Sequence, residues 1–97
     1  MIVEYHPAVQ RELEMIRDWY EERVPGLGRE FLDEFERQIL RIAANPTRWM
    51  VISGDIRRTL MPRFPYLIYF RHPQPERLRV TVVKHQRRHP AFGRDRA

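Results

Sequence analysis

The sequence predicts an α+β fold in which a hairpin of two helices packs on one face of a small antiparallel sheet. Three observations carry that prediction. A short β-branched run opens the chain, two stretches with apolar residues at helical spacing follow, and three β-rich runs come after them. The expected order is β-α-α-β-β-β in a single domain over residues 1–97, with residues 84–97 forming a basic C-terminal tail.

The first strand is "IVEY", residues 2–5, which alternates and is stopped by His6-Pro7. Pro7 suits the first turn of a helix, where its missing N–H costs nothing. Val9, Leu13, Ile16 and Tyr20 then recur at spacings of four, three and four, with Trp19 beside them and most charges off that stripe. "VPGLG", residues 24–28, ends this helix and predicts a tight helix-to-helix turn. The second helix starts near Gly28, puts Phe31, Leu32, Phe35, Ile39 and Ile42 on one face, and stops at Asn45-Pro46. Residues 47–55 read as a loop, with Gly54-Asp55 as its turn signal. The remaining strands are expected at 56–61, 66–71 and 78–83, with "HPQPE", residues 72–76, as the last hairpin loop. In "LRVTVV" the alternation places Leu78, Val80 and Val82 on one face and Arg79, Thr81 and Val83 on the other. The helices cover one sheet face, so the other is expected to be available for function.

A chain of 97 residues supports one modest core, which favours a shallow surface site over an enclosed cofactor cleft. There is no cysteine, which excludes disulfides, thiolate metal sites and a cysteine nucleophile. No stretch approaches the roughly 18 apolar residues of a membrane span, and the start lacks a basic leader, so a cytoplasmic protein is expected. The charge is divided along the chain. Residues 1–47 hold six arginines and ten carboxylates, a net of −4; residues 48–97 hold twelve cations and three carboxylates, a net of +9. A field of that kind fits phosphate backbones or an acidic protein partner.

No glycine-rich phosphate loop, HExxH or GxSxG is present, and no cofactor is expected. His85 and His89 stand four apart, but Pro90 disfavours helical geometry at His89, so no metal site is expected either. The candidate target- or phosphate-binding group is Arg57, Arg58, Arg63, Lys84, Arg87, Arg88 and Arg96, with Tyr66, Tyr69 and His85 among them. If the strands pair as a meander, Arg63, Tyr66 and His85 converge, giving cations for a phosphate, a ring for stacking and a histidine for proton transfer. Phe64, Ile68 and Phe70 are most simply the inward side of a strand.

Three segments together resemble one known family over nearly the whole chain: "WYEERVPGLGREFLDEFERQILRIAANP", "RRTLMPRFPYLIYF" and "VVKHQRRHPAFGRDR". They look like the RelE/ParE toxins of type II toxin–antitoxin systems. The resemblance implies a small toxin whose helix hairpin packs on an antiparallel sheet, held inactive by a cognate antitoxin. It aligns Arg57 or Arg58 with the family's strand arginine, Arg63 and Tyr66 with its "RFPY" segment, and His85, Arg88 and Pro90 with its H-x-x-R-x-P ending. Phe92 fits a following aromatic, Gly93 stands where tryptophan is common, and Arg96 fits a closing arginine. The fold serves two activities. A RelE-like member would cut mRNA on the ribosome with His85, Arg63 and Tyr66 as catalytic residues; a ParE-like member would poison DNA gyrase without nuclease chemistry. The tail has no tyrosine after Tyr69 and the helix hairpin is long, features that favour the ParE-like branch. A non-toxic RNA-binding module on the same fold is the third reading.

Overall fold

A computed structural model describes residues 1–97. The chain forms β1 (Ile2–Tyr5), α1 (Pro7–Arg23), α2 (Leu27–Ala44), a 3-10 turn (Pro46–Arg48), β2 (Val51–Ser53), β3 (Ile56–Leu60), β4 (Tyr66–Gln74) and β5 (Arg77–His85). The strands make one sheet in the order β1-β5-β4-β3-β2. No helix is long and apolar enough to cross a membrane.

Local chemistry sets the helix boundaries. His6 caps α1 by accepting the Ala8 N–H on Nδ1 at 3.1 Å, and Pro7 occupies the first helical position. The start of α2 has no cap from its own N-terminal residue, Gly26. Instead Glu21, near the end of α1, accepts the Gly26 N–H at 2.8 Å and the Gly28 N–H at 3.0 Å. Two of the orphan donors of α2 are thus satisfied by the preceding helix, whose carboxylate also lies at the positive end of the second dipole. Gly28 makes the close crossing possible: a Cβ there would lie 2.5 Å from the Arg17 carbonyl oxygen. The hairpin buries Val9, Ile16, Phe31, Phe35, Ile39 and Ile42 against Ile68, Phe70, Leu78, Val80 and Val83 of the sheet.

The sheet differs from the expected one in four ways. The segment read as a loop, 47–55, contains the 3-10 turn and a fifth strand, β2, which pairs antiparallel with β3. The sheet is mixed, because β1 runs parallel to β5 with Tyr5 opposite Val80. Alternation through β5 is also interrupted. Tyr69 pairs with Val82 but Phe70 pairs with Val80, which leaves Thr81 as an extra residue, a β-bulge. After it the faces exchange: Val80 and Val83 join the helix-side core, whereas Val82 joins Ile56, Leu67 and Tyr69 on the other side. The "HPQPE" loop is shorter than expected, since β4 continues to Gln74 and β5 begins at Arg77.

The sheet face opposite the helices is not left open. Phe92 from the C-terminal tail packs on that second cluster, and Gly93 takes φ +82° where a Cβ would meet Val82 Cγ2 at 2.3 Å. A glycine at the position where the family often has tryptophan lets the tail backbone lie flat on β5.

Gly28→Ala is expected to lower stability. Forcing the helices apart costs about 1–3 kcal/mol, against an intrinsic helix gain of ~1 kcal/mol for alanine. Urea denaturation should show a lower midpoint with an unchanged slope; an unchanged midpoint would mean that the hairpin does not depend on this close approach.

Candidate target-binding cleft

The cleft lies where the ends of β4 and β5 meet α1 and the tail, with a volume of about 230 Å³. Tyr66 and His85 face each other directly across the β4–β5 ladder, their ring centroids 5.3 Å apart at an interplanar angle of 77°. Met15 and Glu12 of α1 line it together with Arg88 and Phe92 of the tail. Tyr66 is half-buried, packed edge-on against Phe31 at 5.6 Å and Tyr20 at 6.3 Å. Burial pushes its phenol above the ordinary tyrosine value of 10.0. The Tyr20 phenol is raised mainly by burial and further by Tyr66. His85 Nδ1 accepts the Arg87 backbone N–H at 3.0 Å. That bond places the ring proton of neutral His85 on Nε2, so the imidazole presents a donor.

The predicted cations have separate fates. Arg63 does not join Tyr66 and His85: its Nη2 donates to Glu30 Oε1 at 3.0 Å, tying the β3–β4 connection to α2. Arg57 donates to the Trp49 carbonyl at 2.7 Å and braces the turn before β2. Arg96 pairs with Glu12 at 2.8 Å and donates to the Thr81 carbonyl at 3.1 Å. The same Glu12 accepts the Val83 N–H at 3.1 Å, so the pair closes the edge of β5 beyond the reach of β1. Lys84 lies on the tail side and is only 4% exposed, with its ammonium held by tail carbonyls rather than offered to a phosphate. Arg58, Arg87 and Arg88 remain exposed and have no carboxylate partner. Of these, Arg88 stands at the cleft, its guanidinium 4.0 Å from the centre of the Phe92 ring.

A larger groove of about 400 Å³ opens between β1 and the helices, floored by Tyr5, Leu13, Leu32 and Phe35. None of the cations named above lines it. No group of histidines and carboxylates is arranged to hold a metal ion.

A family model described as "ParE toxin of type II toxin-antitoxin system, parDE" matches residues 3–90, from β1 to the Pro90 of the H-x-x-R-x-P ending. The chain belongs to the ParE toxin family. A solved structure described as "Chromosomal ParDE TA system from P. aeruginosa" is similar in fold, with a TM-score of 0.75 at 13% identity, covering 88% of this chain and 95% of that one. No curated protein sequence matches.

Within this ParE-family chain, sequence reasoning missed Glu12, Glu21 and Arg71. Arg71 donates to the Arg94 carbonyl at 3.2 Å and the Arg96 carbonyl at 3.1 Å, and it also pairs with Asp55. Glu12 and Arg96 are 84 residues apart, and nothing local in a sequence announces such a contact. Glu21 could have been found, because a glutamate shortly before a P-G-L-G turn is placed to cap the helix that follows.

The raised phenols predict an alkaline loss of stability. A tyrosine whose folded pKa exceeds its unfolded value stabilises the fold fully below that unfolded value, and the contribution is lost as pH rises through the folded one. Unfolding free energy should therefore fall as the pH is taken above 10.0. In Tyr66→Phe the fall should be shallower, measured by urea titration at a series of alkaline pH values. An identical slope in the variant would show that Tyr66 titrates alike in both states.

Proposed function

We propose that this ParE-family protein is a growth-inhibiting toxin that poisons DNA gyrase in the cytoplasm and is silenced by a cognate antitoxin. The observation that carries the proposal is the ParE family match over residues 3–90, spanning the helix hairpin, the sheet and the cleft residues up to Arg88. The chemistry of the cleft supports it. A phenol pushed up by burial is a poor base, the histidine spends Nδ1 on a backbone amide, and Arg63 is turned to Glu30. What the cleft offers is grip: an amphipathic ring, an exposed thioether at Met15 and the unpaired Arg88. Those features suit a protein surface with acidic groups.

One observation favours a RelE-like nuclease as the second reading, namely that Tyr66, His85 and Arg88 share one cleft. A gyrase assay separates the two. With supercoiled plasmid, gyrase and ATP, the protein should accumulate linear DNA, and Arg88→Ala should weaken the effect by about tenfold or more, as expected for loss of a charged hydrogen bond. In purified translation, mRNA should stay intact. Cut mRNA that survives in Tyr66→Phe but is lost in His85→Ala, with gyrase untouched, would replace the gyrase reading by the nuclease one.

The antitoxin half of the proposal rests on charge. A half-chain at +9 invites an acidic segment, so the association rate should fall steeply with added salt while the affinity, resting on apolar contacts, falls much less. Stopped-flow association that is indifferent to ionic strength would remove the basic half as the docking surface.

A further inference from the structure

Seventeen arginines and a single lysine make up the basic side chains, and that one lysine occupies a site of different design from all the others. Lys84 Nζ donates to the carbonyls of His89 at 3.0 Å, Pro90 at 3.1 Å and Phe92 at 3.0 Å. It also stands 4.2 Å from the centre of the Tyr69 ring, and the Tyr69 hydroxyl donates to the same Pro90 carbonyl at 2.9 Å. No carboxylate takes part. An ammonium has three donors in a compact tetrahedral array, and three carbonyls plus an aromatic face satisfy all of them at one point. A planar guanidinium on a longer fork cannot place three donors on so small a target.

The three carbonyls belong to a turn that folds the chain back from the end of β5, and that turn carries Arg88 and Phe92 into the wall of the cleft. We propose that Lys84 is the positioning residue of the cleft. Lys84 borders the cleft, but its ammonium is taken up in closing residues 88–92 into a strap and thereby sets where Arg88 and Phe92 stand. This rests on the reading of the cleft as the target-binding surface.

The strap has its own reporters in the amides of Arg88, Ala91 and Phe92, bonded to the His85 carbonyl, His89 Nδ1 and the His89 carbonyl. In Lys84→Met, hydrogen exchange at these amides should quicken roughly tenfold or more, while exchange in the core of β4 and β5 stays unchanged. Lys84→Arg should behave like Lys84→Met, and methylammonium added to Lys84→Ala should restore protection by occupying the vacated cage. Linear DNA from gyrase should fall in Lys84→Met as it does in Arg88→Ala. Unchanged strap amides, or strap and core amides loosening equally, would overturn the proposal, the latter by making Lys84 a general stabiliser.

Should the variants fail to fold, the wild-type chain still decides the matter, because its single lysine can be followed by acylation and mass spectrometry. Lys84 should react at least about tenfold more slowly than the exposed lysine introduced by Arg87→Lys, and equal rates would mean an open cage. The exchange and acylation measurements need no gyrase, so failure of the gyrase reading leaves them standing. Full gyrase activity in Lys84→Met with a loosened strap would instead sink the positioning role alone.

Discussion

The fold turns on the β4–β5 ladder and on the bulge at Thr81 within it. Before the bulge, Leu78 and Val80 face the helices; after it, Val82 and Lys84 face the tail while Val83 returns to the helix side. The extra residue gives the sheet two apolar faces from one strand pair, a large one for the helix hairpin and a small one for the C-terminal tail. A regular ladder that kept Thr81 in alternation, without the bulge, would return Val82 to the helix side and turn the Lys84 ammonium into a packed apolar core, where an unpaired charge costs several kcal/mol.

Much of the basic surplus is spent inside the molecule. Lys84, Arg71, Arg57 and Arg96 donate to backbone carbonyls, and three of these four hold the tail or close the exposed edge of β5. Side chain to carbonyl contacts of this kind depend on the course of the tail backbone and hardly on its side chains. The tail nonetheless needs four of its own side-chain positions: Arg88 and Phe92 at the cleft, Gly93 against Val82, and Arg96 on Glu12 and the Thr81 carbonyl. The net charge of the second half overstates what is offered to a partner, which comes down largely to Arg48, Arg58, Arg87 and Arg88.

The acidic helices are likewise not only a solvated surface. Glu21 caps α2, Glu12 joins α1 to β5 and the tail, and Glu30 restrains Arg63. Two of these contacts link the acidic half of the chain to the basic half, so the charge division seen in the sequence is partly resolved by folding. The cleft sits at the junction, where α1 supplies Met15 and Glu12 and the basic half supplies Tyr66, His85 and Arg88.

The elements themselves were legible because they are written in local chemistry. Helical spacing from Val9 to Tyr20 and from Phe31 to Ile42, the Pro7 start, the P-G-L-G turn and the Asn45-Pro46 stop all act over a few residues, and the structure has both helices where those signals put them. The inward side of β4, Ile68 and Phe70, and Phe64 just before it were readable for the same reason. The parallel pairing of β1 with β5, the bulge at Thr81 and the partner of each cation were not. Those depend on which distant segments meet, and a one-residue change of register exchanges the faces without altering any local preference. Sequence alone determined that this chain is a helix hairpin on a sheet with a basic second half; tertiary structure decided that its lysine is a clasp and that Arg88 is free, because only packing settles which charges find partners.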